Sequence, residues 1–143
     1  MEKFQLNQQL DQDCITLGTF GSSLLLLLNN SLLPWFILVP ETDACELFDM
    51  EAEPQRLLID EINQLGKFVD QEFKTDKVNI AAIGNIVRQL HIHVVGRYED
   101  DFYWPNVVWG AKEKKDYTPQ EVQSIIARLQ SKLGHIFTVL AQH

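Results

Sequence analysis

Between Arg88 and Arg97 the chain reads Arg-Gln-Leu-His-Ile-His-Val-Val-Gly-Arg, which puts Gln89, His91 and His93 at every second position of an otherwise apolar stretch. A period of two belongs to an extended strand, whose successive side chains point to opposite faces. A strand is therefore expected within Ile86 to Arg97. Leu90, Ile92 and Val94 would turn to a core, with an amide and two imidazoles aligned on the other face. A chain with this segment has to build a sheet, and the polar side of that strand is where chemistry is to be sought.

Other apolar runs are cut to strand length by turn signals. Cys14 to Thr19 and Ser23 to Leu28 flank a turn at Phe20-Gly21, and Asn29-Asn30-Ser31 precedes Trp35 to Val39, which predicts an antiparallel meander. Pro34 and Pro40 bracket its third strand, where a missing N–H is tolerated. Val78 to Ile83 reads as a further buried strand, broken from the histidine segment by Gly84-Asn85. A helix is expected over Glu53 to Phe73, with Pro54 in its first turn. Leu57, Leu58, Ile62, Leu65, Phe68, Val69 and Phe73 form its apolar stripe, interrupted by Glu61. Thr118-Pro-Gln-Glu is a capping box that opens a second helix ending by Gly134. The tail from His135 fits either a continued helix or a strand.

The chain has 143 residues, 45% of them apolar, which suits one domain over residues 1–143 with a core of its own. A net charge of −8 speaks against unspecific nucleic-acid binding, which needs basic surface to neutralise phosphates. The N-terminal residues lack the apolar core of a signal peptide, and no apolar run approaches the roughly eighteen residues that span a bilayer, so a cytoplasmic protein without membrane contact is expected. Cys14 and Cys45 have no metal-like spacing and are read as reduced thiols. His91 and His93 could chelate zinc from one strand face, but no nearby cysteine or Glu-x-x-His pattern supplies a third ligand, and His135 and His143 are remote in sequence.

Gln89 to Val95 resembles the histidine-triad motif, His-φ-His-φ-His-φ-φ with φ apolar, of the HIT superfamily, with Gln89 in place of the first histidine. Gly84 stands where the family has a glycine before the triad, and Trp35-Phe-Ile-Leu-Val-Pro40 resembles its strand ending in Val-Pro. The chain is similar more narrowly to a bacterial branch with Gln-Leu-His-x-His, an upstream Pro-Trp-φ-φ-Leu-Val-Pro and a downstream Trp-Pro-x-x-Val-Trp-Gly, matched by Trp104 to Gly110.

The fold implied by this resemblance is α+β, an antiparallel sheet of about five strands with the long helix packed on one face, in agreement with the element order read from periodicity. The activity implied is that of a nucleotide hydrolase or transferase needing no cofactor and no metal. His91 would attack the α-phosphorus of a nucleotide derivative and form a nucleotidyl-histidine that water resolves, while His93 holds the phosphate or the catalytic imidazole. Gln89 can position a phosphoryl oxygen but cannot titrate. Ile86 replaces a serine found in phosphoramidate-cleaving relatives, which weakens the case for that substrate. Asn30 takes the place of an acidic ribose ligand, Asn85 is a candidate phosphate donor, and Arg97 and Trp104 are candidate residues at the rim. Phe4, Leu28 and Leu38 are candidate walls for a base. A homodimer is implied as well. Two alternatives stay open: a catalytically weak nucleotide-binding protein, and a metal-binding hydrolase using His91 and His93.

Overall fold

The meander forms where expected. In the computed structural model, which describes residues 3–141 of the chain, β1 (Cys14–Phe20), β2 (Ser23–Leu28) and β3 (Trp35–Pro40) pair antiparallel in turn. At the β1–β2 turn Gly21 takes a φ of 60°, a region a Cβ disfavours. The turn is also gripped from outside. The buried carboxylate of Glu61 accepts from the Ser22 amide at 3.0 Å, the Ser22 hydroxyl at 2.7 Å and the Ser23 hydroxyl. The charge that interrupts the apolar stripe is thus the helix's grip on the hairpin.

That helix, α2 (Ala52–Phe73), lays Leu58, Ile62, Leu65, Phe68 and Val69 against the sheet. After it come β4 (Lys77–Ala81), β5 (Ile92–Arg97), α3 (Pro119–Leu133) and β6 (Phe137–Val139). The capping box at the start of α3 is present in both halves, and Val122, Ile125, Ile126 and Leu129 bring this helix into the same core. The ambiguous tail is a strand, since β6 pairs antiparallel with β1. Gly18 makes that pairing possible, because a Cβ there would lie 2.0 Å from the Thr138 carbonyl oxygen. The sheet therefore has six strands rather than about five, in the order β4-β5-β3-β2-β1-β6.

One boundary differs in a way that matters for the site. The strand expected within Ile86 to Arg97 begins only at Ile92, so Gln89 and His91 precede it in an irregular segment. The β3–β5 ladder runs from Trp35↔Val95 to Leu38↔Ile92. Continued in register it would set Pro40 against Leu90, and proline has no N–H to offer a ladder. Strand β4 likewise stops at Ala81, short of the Ile83 expected, and the released chain forms the wall of a cavity.

The sheet is covered on both faces. Phe36, Leu38, Ile92 and Val94 meet α2 and α3 on one side. On the other, Trp35, Ile37, Val39 and Val95 meet Leu10 of a short unforeseen helix, α1 (Gln8–Asp13), together with Val108, Phe4, Leu6 and Trp109. His93 alternates with Ile92 and Val94 and so belongs to this second side. Among the described residues no helix is long and apolar enough to cross a membrane.

Candidate active site

His91 stands just before β5, with its Nδ1 2.7 Å from the Gln89 carbonyl oxygen. A carbonyl only accepts, so Nδ1 carries the proton and donates it, and Nε2 keeps an unshared lone pair. This is the orientation a nucleophilic imidazole requires, and its acceptor is the backbone of the residue in the first triad position. His91 is 5% exposed and lines a cavity of about 670 Å³ together with Cys45, Glu46, Phe48, Asn85 and Arg88.

His93 has the opposite arrangement. The indole Nε1 of Trp35 lies 2.9 Å from His93 Nδ1. An indole nitrogen only donates, so Nδ1 must be bare and the proton of the neutral ring sits on Nε2. Trp35 and Trp109 both meet the ring edge to face, at centroid distances of 5.8 and 5.3 Å. Burial, reinforced by the nearby His91, pushes the His93 pKa down to about 3, so the ring is neutral at physiological pH. The two imidazoles are 5.0 Å apart. One offers a lone pair and the other an N–H, a combination suited to attack on a centre whose oxygens gain charge.

Residues 9–100 match the family model described as the HIT domain. The chain belongs to the HIT family. Solved structures similar to it include a histidine triad protein of Sinorhizobium meliloti 1021, at 37% identity and a TM-score of 0.87 over 91% of this chain and 97% of that one. Another is histidine triad protein of Bradyrhizobium japonicum, at 36% identity and 0.87 over 91% and 98%. A third, from Marinobacter aquaeolei VT8, shares 37% identity with a TM-score of 0.88 over 93% and 98%. No curated protein matches the chain significantly. Among the described residues no group of three or more His, Cys, Asp or Glu side chains could hold a metal, and His143 lies outside those residues.

Several residues singled out from the HIT resemblance stand elsewhere than expected. Gln89 is off the strand: its Oε1 accepts from the Asn7 amide at 2.8 Å and its Nε2 donates to the Gln5 carbonyl at 2.9 Å. It holds the N-terminal segment beside a second cavity, about 1030 Å³, lined by Lys3, Phe4, Gln5 and Asp43 and adjoining the first at Cys45 and Gln89. Asn85 does line the histidine cavity, whereas Ile86 points to solvent and is 92% exposed. Asn30 is a correction. Its Nδ2 donates to the Glu113 carbonyl and its Oδ1 accepts from the Leu32 and Lys115 amides, so its oxygen is filled by backbone rather than by ribose hydroxyls.

Arg97 is a second correction. Expected near the rim, it is 1% exposed. Its Nε and Nη2 donate to Asp101 at 2.8 and 3.1 Å and its Nη1 to Asn79 at 3.0 Å. Trp104 lies over this guanidinium, 5.5 Å from it, and therefore packs on a structural ion pair. Of the candidate base walls, Leu38 is fully buried under the helices and is removed, Leu28 packs on the second face, and Phe4 lines the second cavity. Trp35 was missed as a site residue, because a tryptophan in an apolar strand carries no sign that its N–H is aimed at a histidine, and Trp109 meets the same ring from a turn.

Proposed function

We propose that this HIT protein is a nucleotide hydrolase or transferase that cleaves at the α-phosphorus of a nucleotide derivative through a nucleotidyl-His91 intermediate. One observation carries the reading: the Gln89 carbonyl holds the proton of His91 on Nδ1 and leaves Nε2 bare beside a cavity. His93 supplies a neutral Nε2–H to a phosphoryl oxygen. Asn85 and Arg88 line the same cavity, where an amide and a guanidinium complement phosphate. Gln89 acts in the site through its backbone carbonyl and as the clasp on residues 5 to 7. The two adjoining cavities give room for the two halves of a substrate such as a dinucleoside polyphosphate. The homodimer expected of the family is part of the same proposal, with the Trp104 to Trp109 segment and its exposed Val107 as the surface to examine.

The test is intact-protein mass after brief incubation with adenosine dinucleoside polyphosphates and phosphoramidates, quenched at alkaline pH, in chelator, beside His91→Ala. A nucleotidyl increment and monophosphate release, both lost in the variant, are expected. Monophosphate binding with neither increment nor release would instead favour a binding protein, and activity appearing only with added metal would overturn the mechanism.

A further inference from the structure

Resting on the reading of His91 as nucleophile, we propose that the site is specialised for phosphoric anhydrides over phosphoramidates, because Trp35 and Gln89 leave its reacting groups without an acid for a departing amine. In the first step the His91 Nε2–P bond forms as the bond from phosphorus to the leaving atom breaks, and that bond's electron pair departs with the leaving group. A phosphate or nucleotide takes the pair away as a stable oxyanion. An amine cannot leave as the anion in water, so its nitrogen has to gain a proton by the time the P–N bond breaks. In the second step water forms the new O–P bond, the N–P pair returns to His91 Nε2, and the proton of water passes to solvent.

The groups nearest the reacting atoms are committed. The amide of Gln89 has no acidic proton, and its two polar ends engage the Asn7 amide and the Gln5 carbonyl. The His91 Nδ1 proton is held on the Gln89 carbonyl. His93 could act as an acid only as the doubly protonated ring, yet its Nδ1 already accepts from the Trp35 indole at 2.9 Å. A second proton there would set two donors face to face. The ring is also enclosed by Trp109 at 5.3 Å and buried, which disfavours a cation. Arg88, on the cavity wall, offers a charge that a departing phosphate can use but no proton, since guanidinium is not deprotonated in proteins. The other titratable side chains on the two cavity walls, Cys45 and Glu46 in the first and Lys3, Glu41 and Asp43 in the second, are all exposed to solvent. This makes Trp35 a positioning residue that selects the leaving group through His93.

The experiment compares two substrates with one adenosine 5′-phosphoryl group, a dinucleoside tetraphosphate and the phosphoramidate of a primary alkylamine. The wild-type protein should favour the anhydride in kcat/KM by about 10²-fold or more, the usual contribution of a general acid. Trp35→Phe keeps a ring but removes the indole N–H, freeing His93 Nδ1 to take a proton. It should narrow the preference at least about tenfold, chiefly by raising kcat on the amidate as pH falls, a change that loosened packing would not produce. Because Trp35 is buried, Gln89→His serves as a second variant, adding a protonatable ring to the wall of the cavity that His91 lines and narrowing the preference in the same direction. Equal rates on both substrates with the wild type would overturn the proposal while leaving the hydrolase reading standing, as would amidate cleavage lost in Glu46→Gln. A folded Trp35→Phe with an unchanged preference would remove the role of Trp35. Absence of turnover and of any nucleotidyl adduct on either substrate would overturn the hydrolase reading itself.

Discussion

Polar residues stand at and just before the two ends of β5, and the two groups are built in opposite ways. At the Arg97 end each guanidinium nitrogen donates a hydrogen bond, and Asp101 accepts in addition from the Tyr98 and Tyr103 amides. Burial alone would raise the Asp101 carboxyl, but Arg97 and the two amides outweigh it and bring its pKa to about 2. At the other end His91 and His93 each have one ring nitrogen engaged and the other without a hydrogen bond among the described residues. A saturated polar group fixes structure, whereas a group with one valence deliberately spare can do chemistry. Exposure does not separate the two ends, since all three residues are buried.

That contrast can be broken by substitution at either end. His91→Ala should abolish both adduct and turnover, a loss of at least about 10³-fold in kcat, with the denaturation midpoint close to that of the wild type; retained activity would place the nucleophile elsewhere. Asp101→Ala strands a buried guanidinium, and urea unfolding should report a loss of about 3–5 kcal/mol. A much smaller loss would show that Arg97 reaches water after all. His93→Gln keeps a donor without the imidazole geometry and should reduce kcat about 10²-fold, measured on the same substrate under saturation.

The smallest effect, taken per pH unit, is one of pH. Below about 6.5 the unfolded chain protonates the His93 imidazole, while the folded protein, held near 3, does not. Stability should therefore fall as pH drops from 6.5 toward 3, by up to about 1.4 kcal/mol per pH unit. The Asp101 contribution is present above its ordinary value of 3.8 and is lost lower down, as pH falls toward 2. Thermal melts between pH 4 and 6.5 should show a shallower slope for His93→Gln than for the wild type. Equal slopes would mean that His93 is not held neutral.

The meander, both long helices and the histidine pair were legible in the sequence, because each depends on a local period or cap: two residues for the strands, the apolar stripe of α2, and Thr118 with Glu121 for α3. Features made by residues distant in sequence were not. Glu61 looked like a flaw in a stripe until the hairpin it caps was beside it. The partner of the Trp35 indole lies 58 positions away and is revealed only by the register that pairs Ile37 with His93. Arg97 and Asn30 have the residue types a phosphate or ribose site favours, and the sequence does not record that Asp101 and the backbone around Lys115 already occupy them. The strand's late start at Ile92 depends on Pro40, whose effect on a neighbouring strand also requires the register.

The central claim is that two histidines two residues apart are held in opposite tautomers, and long-range proton–nitrogen correlation NMR of the histidine rings at neutral pH tests it most directly. The account predicts His91 with its proton on Nδ1 and His93 with its proton on Nε2, assigned by His91→Gln and His93→Gln and unchanged between pH 7 and pH 5 for His93. Both rings in one tautomer, or a His93 ring doubly protonated by pH 5, would contradict it.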